Sequence, residues 1–420
     1  MPSLFALLRT RRLSTDQRGN VLAFTAISLP LVFGAVGLAV DTTQWIVTKR
    51  QMQQVADSAA LVGSYTALRG GDIDYSVDRD ISTRRGEFVG LTTSATLSPE
   101  DRPGDPYAVA VRLSVPAPLS FAGMFLSKPL TISVTATATM IETDDFCAFA
   151  LGSSTEAGIE IAPDTRLEAD CGLATNSAAE AAIIGDATSQ VAAKKLFAFG
   201  GINLAAQEGT RVRARALEQD DPLADIDPPS VPNTGCPNIT INGEGAGYTS
   251  IKPGCFGNLV INGKATLEAG NYVLNRGNIV FGPTADVTCK GCSFFLTSDS
   301  VDTTPGSVGR ARIDPAATVT LSAPTDGPYA GVLMYQDPRA APEVKGEENV
   351  IAANSRSKLD GILYFPTQTL KVDGSAAPDL GCARLIGRRL VLQGRLVIAK
   401  GCATDTGLIV LKGAEVRLIG

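Results

Sequence analysis

The longest apolar run in the chain is residues 21–40 (VLAFTAISLPLVFGAVGLAV), which carries no charge and is closed by Asp41. That is about the 20 residues a helix needs to cross a bilayer core of roughly 30 Å. Past Asp41 the pattern turns amphipathic. Trp45, Thr48, Met52, Val55, Ala59 and Val62 recur at alternating spacings of three and four, while Gln44, Lys49, Arg50, Gln53, Gln54 and Asp57 fall off that stripe. No Gly or Pro interrupts it, so one helix is predicted from Val21 to Leu68, about 72 Å long at 1.5 Å per residue. Pro30 should kink it inside the apolar half, because proline has no N–H to donate. Arg69-Gly70-Gly71 ends it.

Farther on, the period changes to two. Residues 107–115 (YAVAVRLSV) and 130–140 (LTISVTATATM) alternate apolar and polar, as half-buried strands do. Residues 41–141 therefore read as a small α+β stalk, followed by a polar hinge at 142–145. Beyond it, short β-rich triplets recur between Gly, Asn, Pro and Asp turns. They include Ile239-Thr240-Ile241, Leu259-Val260-Ile261, Ile279-Val280-Phe281, Phe294-Phe295-Leu296, Leu390-Val391-Leu392 and Leu408-Ile409-Val410. The triplets at 259, 279 and 294, with Asn-Gly at 242–243 and 262–263, suggest stacked coils that share a core. A parallel β-helix over 142–420 is the first expectation and a β-sandwich the alternative. The acidic, Pro-rich stretch 219–235 reads as a solvated loop between two parts of it.

Composition narrows the chemistry. The 420 residues are 19% charged and 6% aromatic, with 42 Gly, 24 Pro and no His. Lacking histidine, the chain has no Ser-His-Asp or Cys-His mechanism and no His-ligated zinc. Net charge is −6, and no long basic run exists outside the first 18 residues, which argues against nucleic acid as a partner. Arg9, Arg11, Arg12 and Arg18 precede the apolar run, so residues 1–20 are expected in the cytoplasm and everything after Asp41 outside. A secretory signal cut near Gly37-Leu38-Ala39 is the competing reading, but the run exceeds the usual 7–15 residues of such a signal.

All eight cysteines lie in the exported part: Cys147, Cys171, Cys236, Cys255, Cys289, Cys292, Cys382 and Cys402. An even count there argues for disulfides. Spacing of about one coil pairs Cys147 with Cys171, Cys236 with Cys255, and Cys382 with Cys402, and leaves Cys289 with Cys292 to close a local loop.

The order Arg18-Gly19-Asn20, apolar span, Asp41, Trp45, then QMQQVADSAALVG with Gln54, Ala56, Asp57, Ala59 and Ala60 resembles the N-terminal signature of the TadE/TadG-like family of Flp (tight-adherence) pilus-assembly proteins. In the pilin-like members a cleavage site follows Gly and a Glu stands five residues on. Here Gly19 would be the cleavage residue, but Phe24 takes the place of that Glu. The resemblance thus implies the TadG-like branch, with the helix kept as an anchor. The texture of the long ectodomain, including LDGILYFPTQTL, is similar to TadG-related proteins as well.

Other candidate sites carry weaker signals. Cys289-Lys290-Gly291-Cys292 is a CxxC, but it precedes a strand rather than the helix that lowers a redox thiol pKa. Asp72-x-Asp74-x-Ser76 opens like a calcium loop, yet Val77 and Thr83 stand where Gly and Glu are needed; a solvated helix is expected instead. Asp220, Asp221, Asp225 and Asp227 could be imagined as catalytic carboxylates, but they sit among prolines in a loop. No Asp-x-Ser-x-Ser metal motif and no nucleotide-binding loop is found. Ala35 and Ala39, with Gly34 and Gly37 nearby, could admit a second membrane helix.

The resulting expectation is a single-pass inner-membrane protein with a periplasmic or surface β ectodomain. It would act without enzymatic chemistry, cofactor or metal, in pilus biogenesis, anchoring or adhesion. Its partners would be pilin-like or other pilus-assembly membrane proteins, with surface polysaccharide a further candidate. An anchored β-helix enzyme or binding module for polysaccharide, and a surface structural protein unrelated to pili, are the alternatives.

Overall fold

The computed structural model describes residues 20–124, 130–232, 235–243, 247–342, 347–352, 354–398 and 411–419. Arg18, Gly19, Cys402 and the triplet at 408–410 lie outside them. The chain divides into two compact units, Met1–Ile141 with Val416–Gly420, and Glu142–Glu415. The last residues, expected in the ectodomain, therefore return to the first unit.

The first unit is built on α1 (Asn20–Leu68), 49 residues of continuous helix that is assigned through Pro30. It is the one helix among the described residues long and apolar enough to cross a membrane. Its two halves differ in burial. From Val21 to Val40 most side chains are exposed, whereas Met52, Val55, Ala56, Ala59 and Ala60 are buried. The expected stripe is the face that packs, and the alanines widen it.

That face lies against a three-stranded antiparallel sheet of β1 (Thr92–Leu97), β2 (Val109–Pro116) and β3 (Thr131–Ala150). The two expected strands are present; β1 (TTSATL) has too little apolar alternation to stand out in the sequence. α2 (Ile73–Ser82) packs beside α1, with Val77 and Ile81 buried. Asp72 is its N-cap, accepting from Tyr75 N–H at 3.0 Å, so the calcium-like spacing is used for helix capping. Residues 142–145, read as a hinge, lie inside β3. Their polarity has another use: Asp145 accepts from the Arg384 guanidinium at 2.5 Å and from Leu411 N–H at 3.1 Å.

The second unit is mostly β, and every pairing between described strands of residues 146–398 is parallel. A sandwich would need antiparallel pairing. The strands form three ladders. One joins Ile239–Ile241, Leu259–Ile261, Ile279–Phe281, Ala311–Ile313 and Asn349–Ile351, then residues 370–372 and 390–392. Alternate residues of these strands, such as Leu259, Ile261, Ile279, Phe281, Leu390 and Leu392, point into one shared core. That is why the sequence reads apolar-x-apolar. The other two ladders pass through Lys264–Leu267 and Gly270–Asn275. The triplets at 259 and 279 are neighbours in one ladder, but the triplet at 294 belongs to another, so the spacings of 20 and 15 mixed two faces.

Asparagines stack at the corners of the first ladder. Asn258 N–H donates to Asn238 Oδ1 at 2.6 Å, Asn278 N–H to Asn258 Oδ1 at 2.9 Å, and Arg310 N–H to Asn278 Oδ1 at 2.8 Å. Each side chain thereby satisfies a backbone donor of the next repeat, which a tight corner would otherwise leave unpaired. Asn262 and Asn242, from the Asn-Gly turns, pair side chain to side chain, Asn262 Nδ2 donating to Asn242 Oδ1 at 3.1 Å.

The stacking order departs from the sequence order. The strand Asp379–Ile398 pairs on its far side with residues 148–150, Ile159–Ile161 and residues 166–169, the first segments of the unit. From there the ladders continue to Ile202–Asn203 and Arg211–Arg213. The chain therefore starts this unit in the middle of the stack and runs to one end. It then crosses to the other end and returns to the middle.

The join is marked by charge. Arg384 meets Asp145 at 2.5 Å, Arg388 meets Glu156 at 3.8 Å, and Arg389 bonds Glu160. Three bases of one segment thus face three acids of the other, a pairing that also opposes slips in register. Burial pushes the Asp145 carboxyl above its ordinary pKa, with Arg384 pulling against it. A raised carboxyl favours folding at low pH, and that contribution is lost as pH rises through the folded value. Replacing Arg384 removes the larger pull and leaves the Leu411 N–H as the donor that still opposes burial. Arg384→Ala should destabilise the chain by about 3 kcal/mol at pH 7 and by less at pH 4, since the raised carboxyl is neutralised more readily as pH falls. Arg388→Ala, at the more exposed pair, should stay within about 0.5 kcal/mol. Urea titrations of the detergent-solubilised chain at the two pH values check both.

Candidate functional site

The residues singled out near the N-terminus converge on the loop that follows β2. Pro116 and Pro118 carry no N–H and so end that strand's ladder. The freed Pro118 carbonyl accepts the indole N–H of Trp45 at 2.8 Å. Phe121 and Ala122 then open a 3₁₀ turn, Ala122–Met124, whose first N–H groups have no partner within the turn. Asp41 supplies it: Oδ2 accepts from Phe121 N–H at 2.9 Å and from Ala122 N–H at 2.5 Å. Asp41 is fully buried, and its Oδ1 has no hydrogen-bond partner.

One turn earlier on the same face stands Gly37. A Cβ there would come within 2.7 Å of the Phe121 ring, so only glycine admits the loop at this distance. Gly37, Asp41 and Trp45 follow at intervals of four and form one clamp on the loop. Asp41 and Trp45 were legible as signature residues; Gly37 was noticed for helix pairing and as part of a competing signal-cleavage site, not as a contact for the loop. A glycine four residues before the acid was the available signal.

The rest of the signature packs. Ala56, Ala59 and Ala60 are buried, and at Gly63 a Cβ would come within 2.7 Å of Val109 Cγ1 on β2. Small side chains let the helix lie close to the sheet. Gln54 is exposed. Asp57 accepts from Gln53 Nε2 at 2.8 Å, and that amide also reaches the Thr135 carbonyl at 3.3 Å.

In the second unit, Cys147–Cys171, Cys236–Cys255 and Cys289–Cys292 are disulfides, with Cα separations of 5.8, 5.0 and 6.1 Å. Cys382 is disulfide-bonded too, while Cys402, the partner expected for it, lies outside the described residues. Cys289 and Cys292 sit on different ladders, and their bond spans a corner made by Gly291 at φ 79°. Both are buried.

The acidic stretch differs from a solvated loop. Its Leu223 and Ile226, with Ala216 just before it, form a strap on an apolar outer face of the third ladder, where Phe295, Tyr335, Tyr364, Ile386, Phe149, Ala174 and Phe197 follow in register. The Tyr364 hydroxyl donates to Asp221 Oδ2 at 2.6 Å, Tyr329 to the Asp227 carbonyl at 3.2 Å, and Tyr335 to the Ile226 carbonyl. Burial and then Asp221 raise the Tyr364 pKa, which keeps that hydroxyl a donor. Asp221 is thus a strap contact, and Asp220, Asp225 and Asp227 keep exposed side chains. Phe and Tyr at alternate strand positions carried this signal, but the inward core uses the same residue types.

An open cleft of about 570 Å³ is lined by Arg166, Glu168, Asp170, Ala192, Lys194 and Glu208, among others. Lys194 pairs with Asp170 at 3.2 Å, and both are more than half exposed. No group of three potential metal ligands occurs among the described residues.

The clamp makes a graded expectation. Asp41→Ala leaves two N–H groups without an acceptor and should cost about 2–3 kcal/mol. Asp41→Asn keeps one acceptor oxygen and should cost about 1 kcal/mol. Gln54→Ala, on the exposed face, should fall within about 0.5 kcal/mol. Thermal unfolding of the full chain in detergent, with protease cleavage in the 117–124 loop as a second readout, checks the order.

No curated protein and no solved structure matches the chain. Residues 19–66, which carry Gly37, Asp41, Trp45 and the buried alanine face, match the family model described as Tad, Flp pilus-assembly TadE/G-like.

Proposed function

We propose that this protein is a non-enzymatic, membrane-anchored component of a Flp-type pilus assembly system, of the TadG-like branch. The observation that carries the reading is the TadE/G-like match over residues 19–66, on a helix whose first half is bare and whose second half is packed. A helix of 49 residues is about 73 Å long, far more than a bilayer core needs, so one element can serve as both anchor and stalk. Four arginines before the span favour a cytoplasmic N-terminus and a periplasmic or surface β unit. Phe24, exposed on the helix where a pilin-like member has Glu, favours an anchor kept uncut at Gly19.

The three parallel ladders are read as a parallel β-helix. Such a scaffold, closed by disulfides, offers wide faces for protein contacts. A second reading, polysaccharide binding, rests on the cleft lined by Arg166, Glu168, Asp170 and Lys194.

Deleting the gene in its native host should abolish surface fibres counted by electron microscopy. The full chain should restore them, and so should a chain with Arg166, Asp170 and Lys194 changed to Ala. Unchanged fibres after deletion would reject the pilus reading. Loss of rescue by the cleft variant would favour the polysaccharide reading.

A further inference from the structure

The loop held by Gly37, Asp41 and Trp45 reaches below the end of the apolar span. Gly37 lies three residues before Val40, about 4.5 Å back along the helix axis. The Phe121 ring rests against it. If residues 21–40 cross the bilayer, that ring sits at the boundary between headgroups and acyl chains.

The loop is suited to that depth. No Asp, Glu, Lys or Arg occurs from Leu113 to Ser127. Phe121 is 41% exposed and Leu130 is 45% exposed, with no described part of the unit covering them. Val89, 91% exposed, follows the 3₁₀ turn Arg85–Glu87, and its neighbour Gly90 packs against Pro116 at the same end of β2. Backbone donors in a water-poor layer must be satisfied within the protein, because no water is there to pair with them. The Phe121 and Ala122 donors meet that demand through Asp41, and the Trp45 indole meets the Pro118 carbonyl. Asp41 thus satisfies from within the protein the two donors that this turn would otherwise expose.

We propose that the 117–124 loop, with Leu130 beside it, is a second membrane contact: an interfacial wedge that inserts Phe121 into the leaflet on the Asp41 side. Its partner is the lipid bilayer. The wedge gives the unit two points of attachment, the span and the loop, joined by the clamp. A single helix is free to tilt and rotate; an interfacial anchor on one side restricts both. The proposal rests on the anchor reading of residues 21–40.

The test places a photo-crosslinking benzoylphenylalanine, one site at a time, at Phe121, Leu130, Ile27 and Leu97 of the full chain. The protein is held in nanodiscs of phosphatidylethanolamine and phosphatidylglycerol. Leu97 is an equally exposed apolar residue at the opposite end of β2, where it pairs with Val109. Lipid adducts should form at Ile27, Phe121 and Leu130 and be several-fold weaker at Leu97. Adducts at Ile27 with none at Phe121 and Leu130 would overturn the wedge and leave the anchor standing. No adduct at Ile27 would remove the anchor and the wedge together. Equal adducts at Leu97 and Phe121 would also overturn the proposal, since exposure alone would then explain the labelling. Leu130 supplies the reading if the bulkier group at Phe121 disturbs its contact with Gly37.

Discussion

A helix that serves two solvents must change its surface at one place, and that place is Asp41. Before it the side chains of α1 are apolar and mostly exposed; after it one face is buried against the sheet, and the exposed face turns polar beyond Ile46 and Val47. A carboxylate left bare at that boundary would be costly. Here it is buried, and two N–H groups from a single turn stabilise it. The same contact fixes the loop, and the loop fixes where β2 ends and β3 begins. Gly37 and Trp45 extend it by one turn on either side, so the sheet is tied to the helix at the level where the apolar span stops.

The second unit depends on a different constraint. Short parallel strands bury little individually and gain their core by stacking. The two ends of the stack, Arg211–Arg213 and Ile239–Ile241, are close in sequence, because the chain crosses directly from one to the other. They are tied by the strap carrying Ala216, Leu223 and Ile226, which lies on the outward aromatic column of Tyr335 and Tyr364. In the middle, where the first and last segments meet, Arg384, Arg388 and Arg389 face Asp145, Glu156 and Glu160. Pairing across this seam spans more than 220 residues, so it is a contact that forms late if folding follows loop closure. The charges give the late step a register.

Much of this was legible in the sequence wherever the signal is periodic. The helix stripe from Trp45 to Val62, the strand pair around 109–116 and 131–140, and the apolar-x-apolar triplets follow from packing rules that act locally. What escaped was set by contacts distant in sequence. Nothing local says that Leu385 lies beside Ala148, or that the triplet at 294 starts a different face from the one at 279. The acidic stretch at 219–235 looked solvated because its prolines and aspartates outnumber Leu223 and Ile226, yet those two residues decide its place. Asp145 looked like part of a hinge, because an acid in an apolar strand makes sense only once Arg384 is beside it. At the candidate site, Asp41 and Trp45 were recognised as signature residues, but the loop they hold was not, since its Phe121 and Pro118 lie some 75 residues on.

If residues 21–40 cross the bilayer, one unbroken helix runs from the membrane into the folded unit, with Asp41 clamped at the boundary. Hydrogen–deuterium exchange of the full chain in lipid nanodiscs tests it most directly. Amides from Phe24 to Val62 should be protected without a gap, and those of Phe121 and Ala122 should exchange slowly with them. A fast-exchanging break between residues 38 and 48, or free exchange at Phe121 and Ala122, would contradict it.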